Sequence, residues 1–131
     1  MLYEEITSDI IQAFYQVYNT LGYGFLEKVY ENSLSKELAK RGHIIKQQVP
    51  IQVFYDGDAV GEYFADILVD DKIIIELKAA EEIAKAHEAQ LVNYLKATGI
   101  QVGLVLNFGP KAEFKRKIFT KGAPRTRNEQ S

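Results

Sequence analysis

The sequence predicts an α/β domain in which a mixed β-sheet is flanked by helices. Two observations lead to this class. Apolar residues recur at helical spacing over residues 3–41 and again after residue 82, whereas β-branched and aromatic residues dominate the segments between and after them. The resulting order is two helices, three strands, a helix and a further strand, which is typical of a sheet covered by helices.

Two helices are expected first. Apolar side chains recur near helical spacing over residues 3–20, and the glycines of LGYGF suit a helix end. A second helix is expected over residues 26–41, ended by Gly42. Its apolar side chains stand at successive i+4 steps: Leu26, Tyr30, Leu34 and Leu38. We expect the two helices to form a helical hairpin.

Three strands are expected next. Residues 44–55, IIKQQVPIQVFY, are rich in β-branched and aromatic side chains, and Pro50 indicates an edge position or a bulge. The DGD that follows is a hairpin turn signal, and it leads into a strand over residues 60–69. A second tight turn at 70–71 precedes KIIIELK, residues 72–78, which we expect to pair antiparallel with the strand before it.

The remainder of the chain completes the sheet. A third helix is expected over residues 83–98, and QVGLVLNFG, residues 101–109, predicts one more buried strand. A short strand is also expected over residues 115–119. We therefore predict a single domain over residues 1–120, followed by a basic, disordered tail over residues 121–131.

Composition narrows the functional classes. No run of about 18 apolar residues occurs, and the first residues are acidic where a signal peptide would be basic, so we expect a cytoplasmic protein without membrane contact. The absence of cysteine excludes disulfides, thiolate metal sites and cysteine nucleophiles. Two histidines are too few for an all-nitrogen zinc site within one chain.

The charge of the chain is unevenly distributed. A net charge of −2 argues against a protein coated in positive charge for binding nucleic acid. From Lys111 onward, however, seven basic residues stand against two acidic ones, which gives +5 there and leaves −7 for the rest. This basic end would either contact phosphates or serve only as a solubilising tail.

A candidate site lies in the strand KIIIELK. Glu76 and Lys78 are two residues apart and therefore point to the same face of the sheet. Folding strand 60–69 back on this strand brings Asp66 near Glu76. The two carboxylates repel each other unless a cation lies between them, and Mg²⁺ fits because it prefers oxygen ligands. Lys78 would then orient or deprotonate a water molecule, or neutralise charge on phosphate.

An E-x-K triplet alone carries little weight, because another occurs at Glu113–Lys115. That triplet follows no β-rich run and has no carboxylate on a preceding hairpin partner, so it serves as an internal control. The alternative interpretation is that Asp66, Glu76 and Lys78 form a structural ion-pair network with no role in catalysis.

Two helices carry further candidates. His87, Gln90 and Tyr94 stand at i, i+3 and i+7 and therefore share a polar stripe beside the apolar arc. Gln90 would hydrogen-bond a phosphate or a bound water, supported by the Tyr94 hydroxyl; alternatively Tyr94 merely packs and the other two face solvent. In the second helix, Glu27 projects into the apolar arc, where a glutamate without a partner is costly.

Together these segments resemble the small prokaryotic GxxExxY proteins, a branch of the PD-(D/E)xK nuclease superfamily. The resemblance runs from about residue 5 to residue 120. It rests on the name-giving pattern Gly24-Phe25-Leu26-Glu27-Lys28-Val29-Tyr30, on Asp66, on Glu76-Leu77-Lys78 and on Gln90-Leu91-Val92-Asn93-Tyr94. One departure is that Ala65 stands where the superfamily name has proline.

The resemblance implies a restriction-endonuclease-like αβββαβ core, preceded by an N-terminal helix. It also implies a Mg²⁺-dependent phosphodiesterase site in which Mn²⁺ is an alternative ion. By the same resemblance, Asp66, Glu76 and the Leu77 carbonyl would bind the metal. Glu27 would complete the metal shell directly or through water.

The resemblance further implies that Lys78 activates or positions the attacking water and that Gln90 and Tyr94 hold the site or the DNA backbone. We therefore predict a metal-dependent nuclease with DNA as the expected substrate. The competing hypothesis is a non-catalytic nucleic-acid-binding or interaction protein on a nuclease scaffold. No recognition helix or aromatic stacking platform stands out, so specificity would come from DNA structure, a partner or a homodimer.

Overall fold

A computed structural model describes residues 1–120 of the chain. The helices are α1 (Glu4–Leu21), α2 (Glu27–Lys40) and α3 (Lys85–Thr98). The strands are β1 (Ile45–Tyr55), β2 (Asp58–Val69), β3 (Ile73–Lys78), β4 (Val102–Phe108) and β5 (Ala112–Ile118). This order confirms the predicted α/β class, and the segment from α2 to β4 is the αβββαβ core with α1 in front of it.

The five strands form one sheet in the order β1-β2-β3-β4-β5. Neighbouring strands are antiparallel except β3 and β4, which are parallel and are connected through α3. The predicted mixed sheet is therefore confirmed. Pro50 lies in β1, an edge strand, as its missing N–H requires, and the register of β1 against β2 shifts between Val53 and Phe54.

Two hydrophobic cores lie on opposite faces of the sheet. The first is covered by α1 and α2; its largest members are Phe14, Tyr30 and Phe108, of which the Tyr30 and Phe108 rings stack at a centroid distance of 4.2 Å. The second is covered by α3, where Leu91 and Leu95 pack against the sheet. Because β3 and β4 are buried on both faces, their sequences read as continuous apolar runs rather than alternating ones.

Several boundaries differ from the predicted ones. Leu26, predicted as the first core residue of the second helix, precedes α2 and is 82% exposed, because the buried face of α2 begins only at Tyr30. The last strand begins at Ala112 rather than residue 115, since it pairs along the whole of β4. The predicted tail at 121–131 lies outside the described residues, and the predicted domain boundary stays a prediction.

No helix within residues 1–120 combines the length and the apolar character that crossing a membrane would need.

Candidate active site

The candidate site lies where β2 and β3 separate. The backbone ladder between these strands covers only Val69–Ile73 to Ile67–Ile75 and stops before the next pair, Asp66 and Glu76. From that pair onward, hydrogen bonds from backbone N–H groups to side chains take the place of the backbone ladder. Glu76 Oε1 accepts the Asp66 N–H at 3.1 Å, and Asp66 Oδ2 accepts the Leu77 N–H at 2.8 Å. The structure thus brings together the two carboxylates that the hairpin register predicts to be close.

Both carboxyl groups have a raised pKa. Glu76 is 5% exposed, and its burial, followed by the negative charge of Asp66, raises the pKa to about 8. Burial likewise raises the pKa of Asp66, although hydrogen bonds from Leu77 and Gln48 oppose the change. The protein's own groups therefore leave these two carboxyl groups short of positive charge.

Lys78 supplies only part of that charge. Its side chain is half-buried at the end of β3, and its positive charge opposes the rise in the pKa of both carboxyl groups without cancelling it. Among residues 1–120, however, no ion pair joins Lys78 to Asp66 or Glu76. Lys78 therefore influences both carboxyl groups electrostatically but forms an ion pair with neither. A structural ion-pair network would require such contacts.

The glutamates of α2 are placed differently from expectation. Glu27 was expected inside the apolar arc, but it is exposed at the first position of α2, where that arc has not yet reached the core. Its negative charge acts with burial and the charge of Asp66 to raise the pKa of Glu76. The buried glutamate is instead Glu31, one turn later and 4% exposed.

Glu31 and its partner Gln48 were not predicted from the sequence as site residues. Glu31 accepts hydrogen bonds from Gln47 Nε2 at 2.7 Å and Gln48 Nε2 at 2.8 Å, and it pairs with Lys28 Nζ at 3.1 Å. The same Gln48 amide also donates to Asp66 Oδ1 at 3.3 Å. Gln48 has a φ of 52°, a left-handed backbone conformation that is rare for a side chain of this kind. A strained strand residue therefore links the α2 glutamate to Asp66.

The spacing of Glu31 in the sequence indicates that its side chain lies on the buried side of α2. Glu31 stands three and seven residues before Leu34 and Leu38, which places it on the buried stripe of α2. No such signal exists for Gln48, since its conformation depends on the pairing of β1 with β2.

Of the predicted stripe on α3, Tyr94 is the buried member. It is 6% exposed and contacts the Tyr63 ring at a centroid distance of 5.7 Å. Burial, followed by the negative charges of Glu76 and Asp66, raises its pKa to about 12. Its hydroxyl therefore keeps its proton at neutral pH and is available as a hydrogen-bond donor.

The other two members of that stripe are less engaged. Gln90 is half-buried and makes no hydrogen bond within residues 1–120. His87 lies in the first turn of α3, where its Nδ1 accepts the Ala84 N–H at 3.0 Å. His87 thus caps the start of the helix, which satisfies a backbone donor that would otherwise lack a partner.

The donor set at the strand split suits a hard cation. No group of three or more His, Asp or Glu side chains in residues 1–120 is arranged to hold a metal ion. Mg²⁺ does not need three, because it is commonly held by one or two carboxylates and keeps several waters. Since the N–H and C=O of a strand residue point to the same side, the Leu77 carbonyl faces the gap that its N–H faces. The residues therefore offer two carboxylates and one carbonyl.

Comparisons with known proteins bear on the family and the fold of the chain. A family model described as the PD-(D/E)XK nuclease superfamily matches residues 4–117. A search of curated proteins finds no significant match.

Two solved structures share the fold. The first, the crystal structure of SSO0001, is 17% identical with a TM-score of 0.53; the match covers 71% of this chain and 50% of that one, so this chain spans half the length of that protein. The second, an alkaline exonuclease (LHK-Exo) from Laribacter hongkongensis, is 12% identical with a TM-score of 0.53, covering 90% of this chain and 71% of that one.

Proposed function

Because the chain belongs to the PD-(D/E)XK nuclease superfamily, we propose that it is a metal-dependent nuclease that hydrolyses phosphodiester bonds, with DNA as its substrate. The observation that carries the proposal is the convergence of Asp66 and Glu76 at the split between β2 and β3, with Lys78 at the end of the same strand. We also propose membership of the GxxExxY branch, supported by the pattern from Gly24 to Tyr30.

Nucleases of this superfamily generally use divalent metal ions. We propose Mg²⁺, with Mn²⁺ as an alternative, held by Asp66, Glu76 and the Leu77 carbonyl. Glu27, exposed beside the site, would complete the shell directly or through water. The bound cation would supply positive charge that stabilises the anionic phosphate and makes a nearby water more acidic.

The protein's own groups would then perform three tasks. Lys78 positions the attacking water and offsets charge that develops on the phosphate. Tyr94, which keeps its proton at neutral pH, donates a hydrogen bond to the site or to the nucleic-acid backbone. Gln90, which stands about one turn earlier on the same helix, would assist it. Gln48 and Glu31 fix the position of Asp66.

The alternative is a non-catalytic nucleic-acid-binding protein on the same scaffold. The presence of both carboxylates and the lysine favours the enzyme. A homodimer remains part of the proposal, because so small a domain offers little surface for holding a duplex.

Cleavage assays test the proposal. Supercoiled plasmid, single-stranded DNA and single-stranded RNA would be incubated with wild type and Mg²⁺, Mn²⁺ or EDTA. The variant Asp66→Asn removes the charge of one proposed ligand, and Asp58→Asn, on an exposed part of the same strand, is the matched control. We expect metal-dependent cleavage by wild type and Asp58→Asn and none by Asp66→Asn. A folded wild type that binds metal and nucleic acid but cleaves nothing would favour the non-catalytic alternative.

A further inference from the structure

A cleft of about 510 Å³ adjoins the proposed catalytic centre. One wall is the loop of residues 23–27, which ends at Glu27, and the other is formed by residues 79–81 and 108–110. Ala79 follows Lys78 directly, so the cleft continues from the end of the E-x-K triplet. Its volume falls within the range of about 300–1,000 Å³ that is typical of small-molecule sites.

Apolar side chains of the loop lie exposed at this cleft. Tyr23 is 62% exposed, Phe25 is 47% exposed and Leu26 is 82% exposed. Single exposed apolar residues are common on protein surfaces, whereas several at one concave site indicate a ligand or partner. Two aromatic rings in such a place offer flat surfaces on which another ring can stack.

The loop that carries these rings is held in place. Gly24 has a φ of 109°, which only glycine adopts without strain. The buried Tyr30 hydroxyl donates to the Gly22 carbonyl at 2.7 Å and accepts the Phe25 N–H at 3.2 Å. The Tyr30 ring in turn stacks on Phe108 of β4. The backbone that carries the two aromatic rings is therefore held in place before any ligand binds.

The opposite wall is mostly backbone. Asn107 Oδ1 accepts the Ala80 N–H at 2.9 Å, and Asn107 Nδ2 donates to the Ala80 carbonyl at 3.0 Å. A Cβ at Gly109 would lie 2.1 Å from the Ala80 oxygen, so only glycine permits this close approach. The packing keeps side-chain bulk out of that side of the cleft.

We propose that this cleft binds an unpaired nucleobase, that of the nucleotide next to the scissile phosphate, stacked against the rings of Tyr23 and Phe25. The inference rests on the proposed function, because it takes the catalytic centre at Glu76–Lys78 as the position of the phosphate. A nucleobase suits the lining because the carboxylate of Glu81 can accept hydrogen bonds from ring N–H and amino groups, whereas it would repel a second phosphate.

A base that is paired and stacked in a duplex cannot enter such a cleft without first leaving the helix. The site therefore selects single strands and frayed ends over intact duplex. Stacking on an aromatic side chain tolerates any base, so this selection acts on strandedness rather than sequence.

Binding measurements test the inference separately from catalysis. Fluorescein-labelled single-stranded DNA, single-stranded RNA and duplex DNA would be titrated in EDTA, followed by fluorescence anisotropy, with wild type, Tyr23→Ala, Phe25→Ala and the double variant. Tyr55→Ala, which removes a 75% exposed aromatic ring far along the β1–β2 hairpin, is the matched control. Both cleft positions are exposed, so all variants should fold, and melting curves would verify this.

We expect single-strand affinity to fall about 10-fold for each cleft variant, with duplex affinity and Tyr55→Ala unchanged. Comparing the affinities for single-stranded DNA and single-stranded RNA shows which of the two the cleft prefers. Affinities unchanged in both cleft variants, or reduced equally for duplex, would overturn the nucleobase site. If the affinities overturn the nucleobase site but wild type still cleaves, the proposed nuclease function stands without it. If the cleft variants lose single-strand affinity as expected but wild type cleaves nothing, the nuclease function is overturned and the base-binding cleft is kept.

Discussion

Asp66 and Glu76 form a reciprocal bridge across the split between β2 and β3, in which each carboxylate accepts a backbone N–H from the opposite strand. The bridge begins at the residue pair where the backbone ladder stops. It therefore satisfies two partly buried N–H groups and, by the same contacts, fixes two carboxyl groups side by side. Two carboxyl groups this close do not both ionise readily unless a cation lies between them, which is the reason to expect a cation at this position.

The raised pKa of Glu76 predicts how stability depends on pH. Its folded value of about 8 exceeds the ordinary value of 4.5, so the folded state holds a proton that the unfolded state releases. The stability of the metal-free protein should fall as pH rises from about 4.5 to about 8. Glu76→Gln keeps the acceptor oxygen and removes the charge, so its free energy of unfolding should exceed that of wild type by about 3–5 kcal/mol at pH 9 and match it near pH 4.5.

Urea unfolding at both pH values, in EDTA, measures this difference. If Glu76→Gln is instead several kcal/mol less stable than wild type at pH 9, the carboxylate is a structural ion-pair partner and not a cation ligand. In wild type, added Mg²⁺ should raise Tm at pH 8, and it should have little effect on Glu76→Gln.

Gln48 should act as a positioning residue for Asp66. Gln48→Gly removes the amide that bridges Asp66 and Glu31, while glycine suits the φ of 52°. We expect kcat for DNA cleavage to fall about 10-fold with little loss of stability. Gln52→Ala is the matched control, because Gln52 is an exposed glutamine of the same strand whose amide donates to Glu62. Equal loss of kcat in both variants would contradict a specific role for Gln48.

A histidine bridge outside the site should add a second pH dependence. His43 lies between Asp9 and Asp70; burial opposes its charge, but the two hydrogen bonds raise its pKa overall. This contribution to stability is present below pH 6.5 and is lost as pH rises through the raised value. His43→Ala should therefore cost about 1–2 kcal/mol at pH 6 and less at pH 9, measured by urea unfolding. A larger cost at pH 9 would contradict the charged bridge.

Tyr30→Phe tests the anchoring of the cleft loop. The variant keeps the ring that stacks on Phe108 and removes the hydroxyl that bonds Gly22 and Phe25. We expect the free energy of unfolding to fall by about 1–2 kcal/mol, because a partly buried carbonyl and N–H lose their partner. The affinity of this variant for single-stranded nucleic acid should also fall. Hydrogen exchange of residues 22–26 would report the loosened loop, and unchanged protection there would show that the hydroxyl does not hold it.

Much of the fold could be predicted because its central strands are unambiguous. Because β3 and β4 are buried on both faces, each appears in the sequence as a continuous run of apolar residues. The tight turn at Asp70–Asp71 fixes the register that brings Asp66 to Glu76. The position of Leu26 was predicted wrongly, since periodicity shows which face of a helix is apolar but not where that face leaves the core.

The remaining site features depend on tertiary structure. The Gln48 contacts require a left-handed strand residue that no propensity predicts, and the aromatic cleft appears only when the 23–27 loop meets the end of β4. No aromatic platform was expected from the sequence, because Tyr23 and Phe25 read as ordinary turn residues beside glycines.

The most direct test of the central claim compares the two E-x-K triplets in one assay. Cleavage of single-stranded DNA in Mg²⁺ would be measured for wild type, Glu76→Gln and Glu113→Gln, with folding checked by melting curves. We predict that Glu76→Gln abolishes cleavage while the folded protein is retained, and that Glu113→Gln cleaves at the wild-type rate. Cleavage by Glu76→Gln at the rate of the control would contradict the assignment of the catalytic centre to the split between β2 and β3.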